Sequence, residues 1–548
     1  MSGHAAASAL IGAGTIASRA TGVLRSIMLV SVIGSYGSRA ADAFTTANML
    51  PTSIYEIIAA GVITGIVVPQ IVRSSAHSDG GDRFISKLLT LGAVVLVTFT
   101  VLAILAAPLL IALYAPLYTA QQQALALSFA YWCLPQLLFY GLYALIGEVL
   151  NARRVFGPYS WVPTANNIVS IIGFALLLVI YGGPTTQVAA WNPTMVAILG
   201  GTATLGIVIQ AGLLAFFWRR TRIRLRPDFR WRGMGLRQLS RLALWTLLTV
   251  VASQLAGLVQ SIVLSAASGA AGYTVLIYAW LVFMLPHSIV TLSVSTAYYT
   301  RLAELAAEQR LDLVGDNVRE SIRVVAVFAF GFTAAIAAAS APLARVFTAD
   351  RVGALTLALV LCAFLVGLVP SGVLVILRRA FFSFNDTRRP FYFAVVQAIV
   401  VAAGAALSFV AASLGYVAVA QLALLVALSQ SIATCAQLPF ARRLLRRHLP
   451  DLSLSATWRA LGRFALASVV GLAGGIGAFV LLGGVEGWTM SGRIEGAVGG
   501  GVVALVALGC YLGGLALLRS PEIGLMVVMV GRLRLWISRR GDRGDRRG

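Results

Sequence analysis

Met49-Leu50-Pro51-Thr52-Ser53-Ile54 returns 235 residues later as Met284-Leu285-Pro286-His287-Ser288-Ile289. Three further landmarks keep the same order at nearly the same offset: Pro108 with Pro342, Pro135 with Pro370, and Pro158 with Pro390. Prolines are informative markers, because each removes a backbone donor and bends the helix that carries it. Four such pairs in one order identify an internal repeat. Both copies of the hexapeptide lie inside long apolar stretches, so the repeat belongs to a membrane architecture.

Composition agrees. Apolar residues make up 59% of the 548 positions and charged residues 11%, with a mean hydropathy of +0.88. A soluble globule carries roughly 25% charged residues to solvate its surface. A membrane-spanning helix needs about 20 apolar residues. Stretches of that kind cover 9–34, 40–72, 88–116, 124–150, 161–181 and 194–218, then 242–267, 273–299, 324–347, 355–377, 390–412 and 416–440, and finally 464–482 and 497–518. The chain is therefore expected to be an all-α integral membrane protein with about fourteen transmembrane helices.

The net charge of +23 is a topology signal. Links after even-numbered spans hold Arg73, Arg83 and Lys87; Arg153 and Arg154; nine arginines in 219–241; the arginines of 301–323; Arg378, Arg379, Arg388 and Arg389; and those of 442–447. Links after odd-numbered spans are nearly uncharged, with Arg39, Arg345, Arg351 and Arg493 as exceptions. This is the positive-inside pattern, and it places both termini in the cytoplasm. The first apolar run is too long for a cleaved signal peptide and should stay as the first helix. All four cysteines lie in apolar spans, so neither a disulfide nor a thiolate metal site is expected.

An offset spanning six helices keeps corresponding helices in one orientation, which makes the halves parallel repeats. The expected organisation is an N-terminal six-helix lobe (1–218), a basic cytoplasmic linker (219–241), a second six-helix lobe (242–440), two additional helices (441–520) and an amphipathic basic tail (521–548) lying along the inner surface. A central cavity between the lobes is the expected route for a substrate.

Ionisable groups inside spans are functional candidates, since lipid burial costs a few kcal/mol each. Arg25 lies roughly 14 Å and Arg19 roughly 22 Å below the outer end of the first span. Guanidinium binds phosphate bidentately and keeps its proton, so the pair points to an anion site; snorkelling or neutralisation by helix carbonyls is the plainer alternative. Glu56 falls at the depth of Arg19, and an Arg19–Glu56 pair is expected. Asp42, near the outer end, is read as a gate or cation-coupling residue, or else an interfacial cap. Glu148 is a cytoplasmic cap or a substrate contact. His287 is a proton relay or a hydrogen-bonded buried histidine. Gln254 and Gln260 on the seventh span line the cavity or bond between helices. The 219–241 arginines anchor topology or grip anionic headgroups. No phosphate-binding loop, zinc-protease motif or cluster of metal ligands is present in the sequence. ATP-driven and metal-dependent readings are thereby set aside, and no catalytic residues are expected.

Ser18-Arg19-x-x-Gly22-x-x-Arg25, Ala41-Asp42-Ala43-Phe44, Leu50-Pro51, Gly61 and Val68-Pro69 together resemble the opening signature of the MurJ/MviN family. Leu150-Asn151-Ala152 with Phe156, and Phe382 with Asp386 and Pro390, resemble its later landmarks. Members are lipid II flippases of peptidoglycan synthesis in the multidrug/oligosaccharidyl-lipid/polysaccharide exporter superfamily. The resemblance implies a bacterial plasma-membrane transporter that moves an undecaprenyl-pyrophosphate-linked precursor to the outer leaflet, with cell-wall synthesis proteins as possible partners. It assigns Arg19 and Arg25 to family arginines needed for function, and Asp42 to a family acid. Two family arginines are missing: one falls at or next to Tyr55, the other at Leu281. Alternating access driven by the membrane potential or a coupling cation, without ATP, is the expected mechanism. The rivals are a cation-coupled exporter of drugs or another lipid-linked oligosaccharide, and a non-transporting enzyme or scaffold of cell-wall synthesis.

Overall fold

The computed structural model describes residues 3–60, 82–153, 155, 157–221, 223, 225–230, 236–450 and 452–524; the side chains of 3–11, 236–243, 289, 290, 292, 293 and 297 are not described. Every named element among them is helical. A bilayer imposes this outcome, because a backbone in hydrocarbon must satisfy its own hydrogen bonds.

The first repeat opens with α1 (Gly3–Ile33) and α2 (Arg39–Ile58), separated by a turn in which Gly34 and Gly37 take φ of +80° and +73°. It continues with α3 (Asp82–Leu105), the short α4 (Ala107–Tyr114), α5 (Ala120–Cys133), α6 (Gln136–Ala152), α7 (Gly157–Tyr181) and α8 (Pro193–Phe216). The second repeat holds α9 (Leu236–Ser265), α10 (Tyr273–Pro286), α11 (Leu292–Ala307), α12 (Leu311–Ala338), α13 (Ser340–Arg345), α14 (Arg351–Leu365), α15 (Leu368–Ser383), α16 (Arg388–Ser413) and α17 (Leu422–Leu445). Two further helices follow, α18 (Ser455–Leu481) and α19 (Arg493–Leu517).

The repeated prolines break both halves at matching places. Pro108 and Pro342 stand in the first turns of α4 and α13, where a missing N–H leaves no helical bond unmade. Pro135 caps α6 and Pro370 lies in the first turn of α15, so each marks a joint within one long span. Beyond the hexapeptide both copies widen: α2 passes through Pro51 and loosens at 59–60, while α10 ends at Pro286 and gives way to a π-turn, His287–Thr291.

Twelve of the described segments are long and apolar enough to cross a bilayer. The two remaining expected spans, the second and eighth, are the ones carrying the hexapeptide. Residues 61–81 are outside the description, and the eighth is interrupted at Pro286, leaving the 14-residue apolar helix α10. The amphipathic tail expected over 521–548 lies outside the described residues beyond 524, as do Gly61, Val68-Pro69, Arg73, Arg154 and Phe156.

The chain divides into two compact units. The first comprises 1–277, 347–349 and 391–429. In it α1 packs on α7, α7 on α8, α2 on α5 and α6, and α9 on α2 and α4. The second comprises 278–346, 350–390 and 430–548. There α12 is the central helix, touching α11, α15, α18 and α19. Leu105, Val179, Leu407, Leu481 and Leu517 are among many large apolar side chains left exposed, as hydrocarbon solvent permits. Two exceptions to the charge rule serve as clamps in the second unit. Arg345 donates to the carbonyls of Met490 (3.0 Å) and Ser491 (3.2 Å), and Arg351 meets Glu486 at 2.5 Å.

Candidate functional site

Ser38 caps α2, its hydroxyl accepting from the N–H of Ala41 and donating to the carbonyl of Ile33. That places Asp42 in the first turn, where the helix dipole favours an anion. Asp42 is buried, at 1% exposure. Its carboxylate accepts the hydroxyl of Ser268 (2.9 Å), from the segment joining α9 to α10, and the backbone N–H of Thr274 (2.9 Å), in the first turn of α10. Gln122 of α5 adds bonds to Ser268 Oγ (2.6 Å) and the Arg39 carbonyl (3.0 Å), and Thr45 meets Thr274. Gly272 sits so close to the Asp42 carboxylate that no Cβ fits there. These contacts form a polar latch across the ends of three helices.

Along α1, Gly14 faces Trp161, Ser18 and Thr21 receive hydrogen bonds from Asn167 (2.9 and 3.0 Å), and Gly22 lies beside Asn167. Arg25 continues that stripe, seven residues beyond Ser18 and about 20° from it around the axis. It is half-buried, lies within electrostatic reach of Tyr140 on α6, and forms no ion pair among the described residues. Arg19 is also half-buried, about a third of a turn away.

Glu56 is exposed on α2, and its carboxylate accepts Gln254 Nε2 of α9 at 2.6 Å. Two expected site residues thus meet. The expected Arg19–Glu56 ion pair is not formed: depth set both residues at one level, but azimuth turns Glu56 towards α9. Gln260 lies half-buried six residues further along α9. Glu148 is half-buried within electrostatic reach of Tyr55 and Tyr159. Tyr55 and Tyr140 have ring centroids 6.0 Å apart, and Tyr143 stacks on Tyr159 at 5.0 Å while donating to its carbonyl. Apart from Tyr55, noted only as the place of a missing family arginine, these tyrosines, with Ser268, Thr274 and Gln122, escaped the sequence reading. The signal was there in part: Tyr140 and Tyr143 stand at helical spacing, and Glu148 lies in the same apolar span.

In the second unit His287 opens the π-turn, with Nδ1 3.2 Å from the Ser371 hydroxyl and its ring stacked on Phe283. Elsewhere in that unit Asp386, noted only as a family landmark, organises a loop cluster. One oxygen accepts the N–H groups of Arg388 (3.1 Å) and Arg389 (3.0 Å). The other accepts Arg389 Nη1 (2.7 Å) and pairs with His448 Nε2 (3.0 Å), whose ring stacks on Phe384. Burial pushes the Asp386 carboxyl up, but the His448 hydrogen bond, the Arg389 backbone donor and the two cationic neighbours outweigh it and hold it below the usual range. Among the described residues no group of three or more His, Cys, Asp or Glu is placed to hold a metal ion.

Comparison with known proteins matches the sequence of the chain to one family. The model of the family described as lipid II flippase MurJ matches residues 31–490. A Haemophilus influenzae protein named probable lipid II flippase MurJ is 25% identical over 420 residues, covering 70% of this chain and 77% of that one. A solved lipid II flippase MurJ in an inward closed conformation superposes with a TM-score of 0.67 at 19% identity, covering 92% of this chain and 99% of that one. An inward-facing multidrug resistance transporter of the MATE family superposes at 0.63 and 16%, covering 80% and 96%. At those identities the two structures speak to the fold. The family match spans most of the sequence, and the chain is a multi-pass membrane protein of the lipid II flippase MurJ family.

Proposed function

We propose that this protein carries lipid II, a prenyl-pyrophosphate-linked cell-wall precursor, from the inner to the outer leaflet of a bacterial plasma membrane by alternating access. The family match over 31–490 carries the reading. Arg25 supports it chemically: a permanent cation at mid-bilayer depth with no ion pair among the described residues is suited to a pyrophosphate. In this scheme the headgroup enters from the cytoplasm, its phosphates meet Arg25 and Arg19, and the prenyl tail stays in lipid. Lobes 1–218 and 242–440 then rock, with the Asp42 latch opening on the outer side. Glu56, Glu148, Gln254 and Gln260 contact the headgroup; His287 serves gating or ion coupling. The basic links, 219–241 above all, hold anionic headgroups at the cytoplasmic face.

The energy source follows from charge. An inside-negative potential favours outward movement of an anionic cargo by roughly 2.3 kcal/mol per charge per 100 mV, so ATP is not required. A flipping assay in proteoliposomes tests both points. Arg25→Ala should lower flipping at least tenfold, with Arg25→Lys intermediate because a point charge replaces a bidentate fork. Clamping the potential at zero should slow the wild type. Full activity in Arg25→Ala would instead favour a cation-coupled exporter with another cargo, and indifference to the potential would leave ion coupling as the drive.

A further inference from the structure

Below Arg25 the first unit carries a wall of phenols and acids whose part of the headgroup the anion-site reading does not specify. Tyr55 and Glu56 come from α2, Tyr143 and Glu148 from α6, and Tyr159 from α7. The rings lie close together, with Tyr143 stacked on Tyr159 and Tyr55 within electrostatic reach of both Tyr159 and Glu148. Neither Glu56 nor Glu148 forms an ion pair among the described residues, and Gln254 is the hydrogen-bond partner of Glu56.

This wall differs from ordinary core. Thr52 and Glu56, one helical turn apart on α2, are both exposed, and the tyrosines are only half-buried. An exposed glutamate in a membrane span requires water or a polar ligand beside it. The two carboxylates repel phosphate and offset the charge of Arg19 at the depth of Glu56, so Arg25 is the main cation for the phosphates. An uncharged ligand rich in hydroxyl and amide donors suits carboxylate acceptors, and flat phenol rings suit the C–H face of a pyranose. From Tyr140, beside Arg25, to Glu148 is eight residues of α6, about 12 Å, comparable to the reach of two linked sugar rings.

We propose that this wall is the sugar subsite: Arg25 takes the pyrophosphate, while Tyr55, Tyr143, Tyr159, Glu56 and Glu148 hold the sugar portion of the same headgroup. Cation above and acids below then orient the cargo in one sense. The inference rests on the flippase reading and adds to it the residues that select the headgroup.

The test measures binding of two probes to the purified full-length protein: undecaprenyl pyrophosphate without sugars, and the same lipid bearing the disaccharide. Tyr55→Ala should weaken the sugar-bearing lipid about tenfold and leave the bare lipid unchanged. Tyr55→Phe, which keeps the ring, should bind both like wild type. Glu148→Gln should show the same split through loss of a charged acceptor, and it decides the matter alone if Tyr55→Ala does not fold. Equal loss for both probes, or no loss for either, overturns the sugar subsite. So does a wild type that binds the bare lipid as tightly as the glycosylated one, with the flippase reading left standing. Wild type that binds neither probe brings down the flippase reading itself.

Discussion

Asp42 illustrates how a single carboxylate is specified by its neighbours. Its two donors, Ser268 and the Thr274 N–H, come from a segment more than 220 residues away, and Gly272 leaves room for the approach. Gly272→Ala should push the carboxylate off both donors. A loss on the order of 2 kcal/mol is expected, from hydrogen bonds broken at a buried charge, read as a lowered thermal midpoint in detergent. An unchanged midpoint would show that the latch carries no stability. Asp386 yields a pH dependence. Its carboxyl titrates below the usual range in the folded protein, so its contribution is complete above about pH 4, the ordinary carboxylate value, and fades as pH falls through the lowered one. Asp386→Asn should therefore flatten the acid limb of a midpoint-against-pH curve below about pH 4. Limbs of equal slope in the two proteins would refute this. At this scale the sequence revealed which residues were costly in a membrane, Arg25, Glu56 and Asp42 among them. It did not reveal their partners: residue number gives depth along a helix, and Arg19 and Glu56 share a depth without touching.

Helices α18 and α19 attach to α12 through surfaces of small residues. A Cβ on Gly475 would strike Ala338 and Ala507, and Gly331 of α12 receives the Tyr511 ring, whose hydroxyl donates to the Val327 carbonyl at 2.6 Å. In lipid, where tails are as apolar as leucine, such close approach drives helix association. Gly475→Leu should destabilise the protein by roughly 1–3 kcal/mol through overpacking. Gly477→Leu, on an open face, should be neutral. If both shift the thermal midpoint equally, close packing is not what seats these helices. Prolines were the most legible feature at this scale, because a missing N–H acts locally: Pro108, Pro135, Pro342 and Pro370 each stand at a helix start. Pro286 was legible as a bend and not as the π-turn that follows, since the extra residue depends on how His287 and Thr291 pack against α15 and its neighbours.

For the molecule as a whole, the charge pattern predicts orientation. In a background lacking the four native cysteines, Tyr416→Cys should react with a membrane-impermeant maleimide on intact cells, and Glu308→Cys should react only after the cells are opened. Both positions are exposed loop sites, on odd- and even-numbered links respectively. The reverse labelling would invert the topology. Apolar spans were readable from the amino-acid order alone, because hydropathy acts segment by segment through the solvent each segment meets; loop charge and proline spacing carry the expected orientation and parallel repeat in the same local way. Folding in three dimensions decided the rest: that Glu56 turns to Gln254, that Asp42 is held by Ser268 and Thr274, and that Tyr55 of α2 and Tyr159 of α7 come within electrostatic reach of Glu148. Those juxtapositions depend on the rotation of each helix about its axis, which packing between distant segments sets and no single segment encodes.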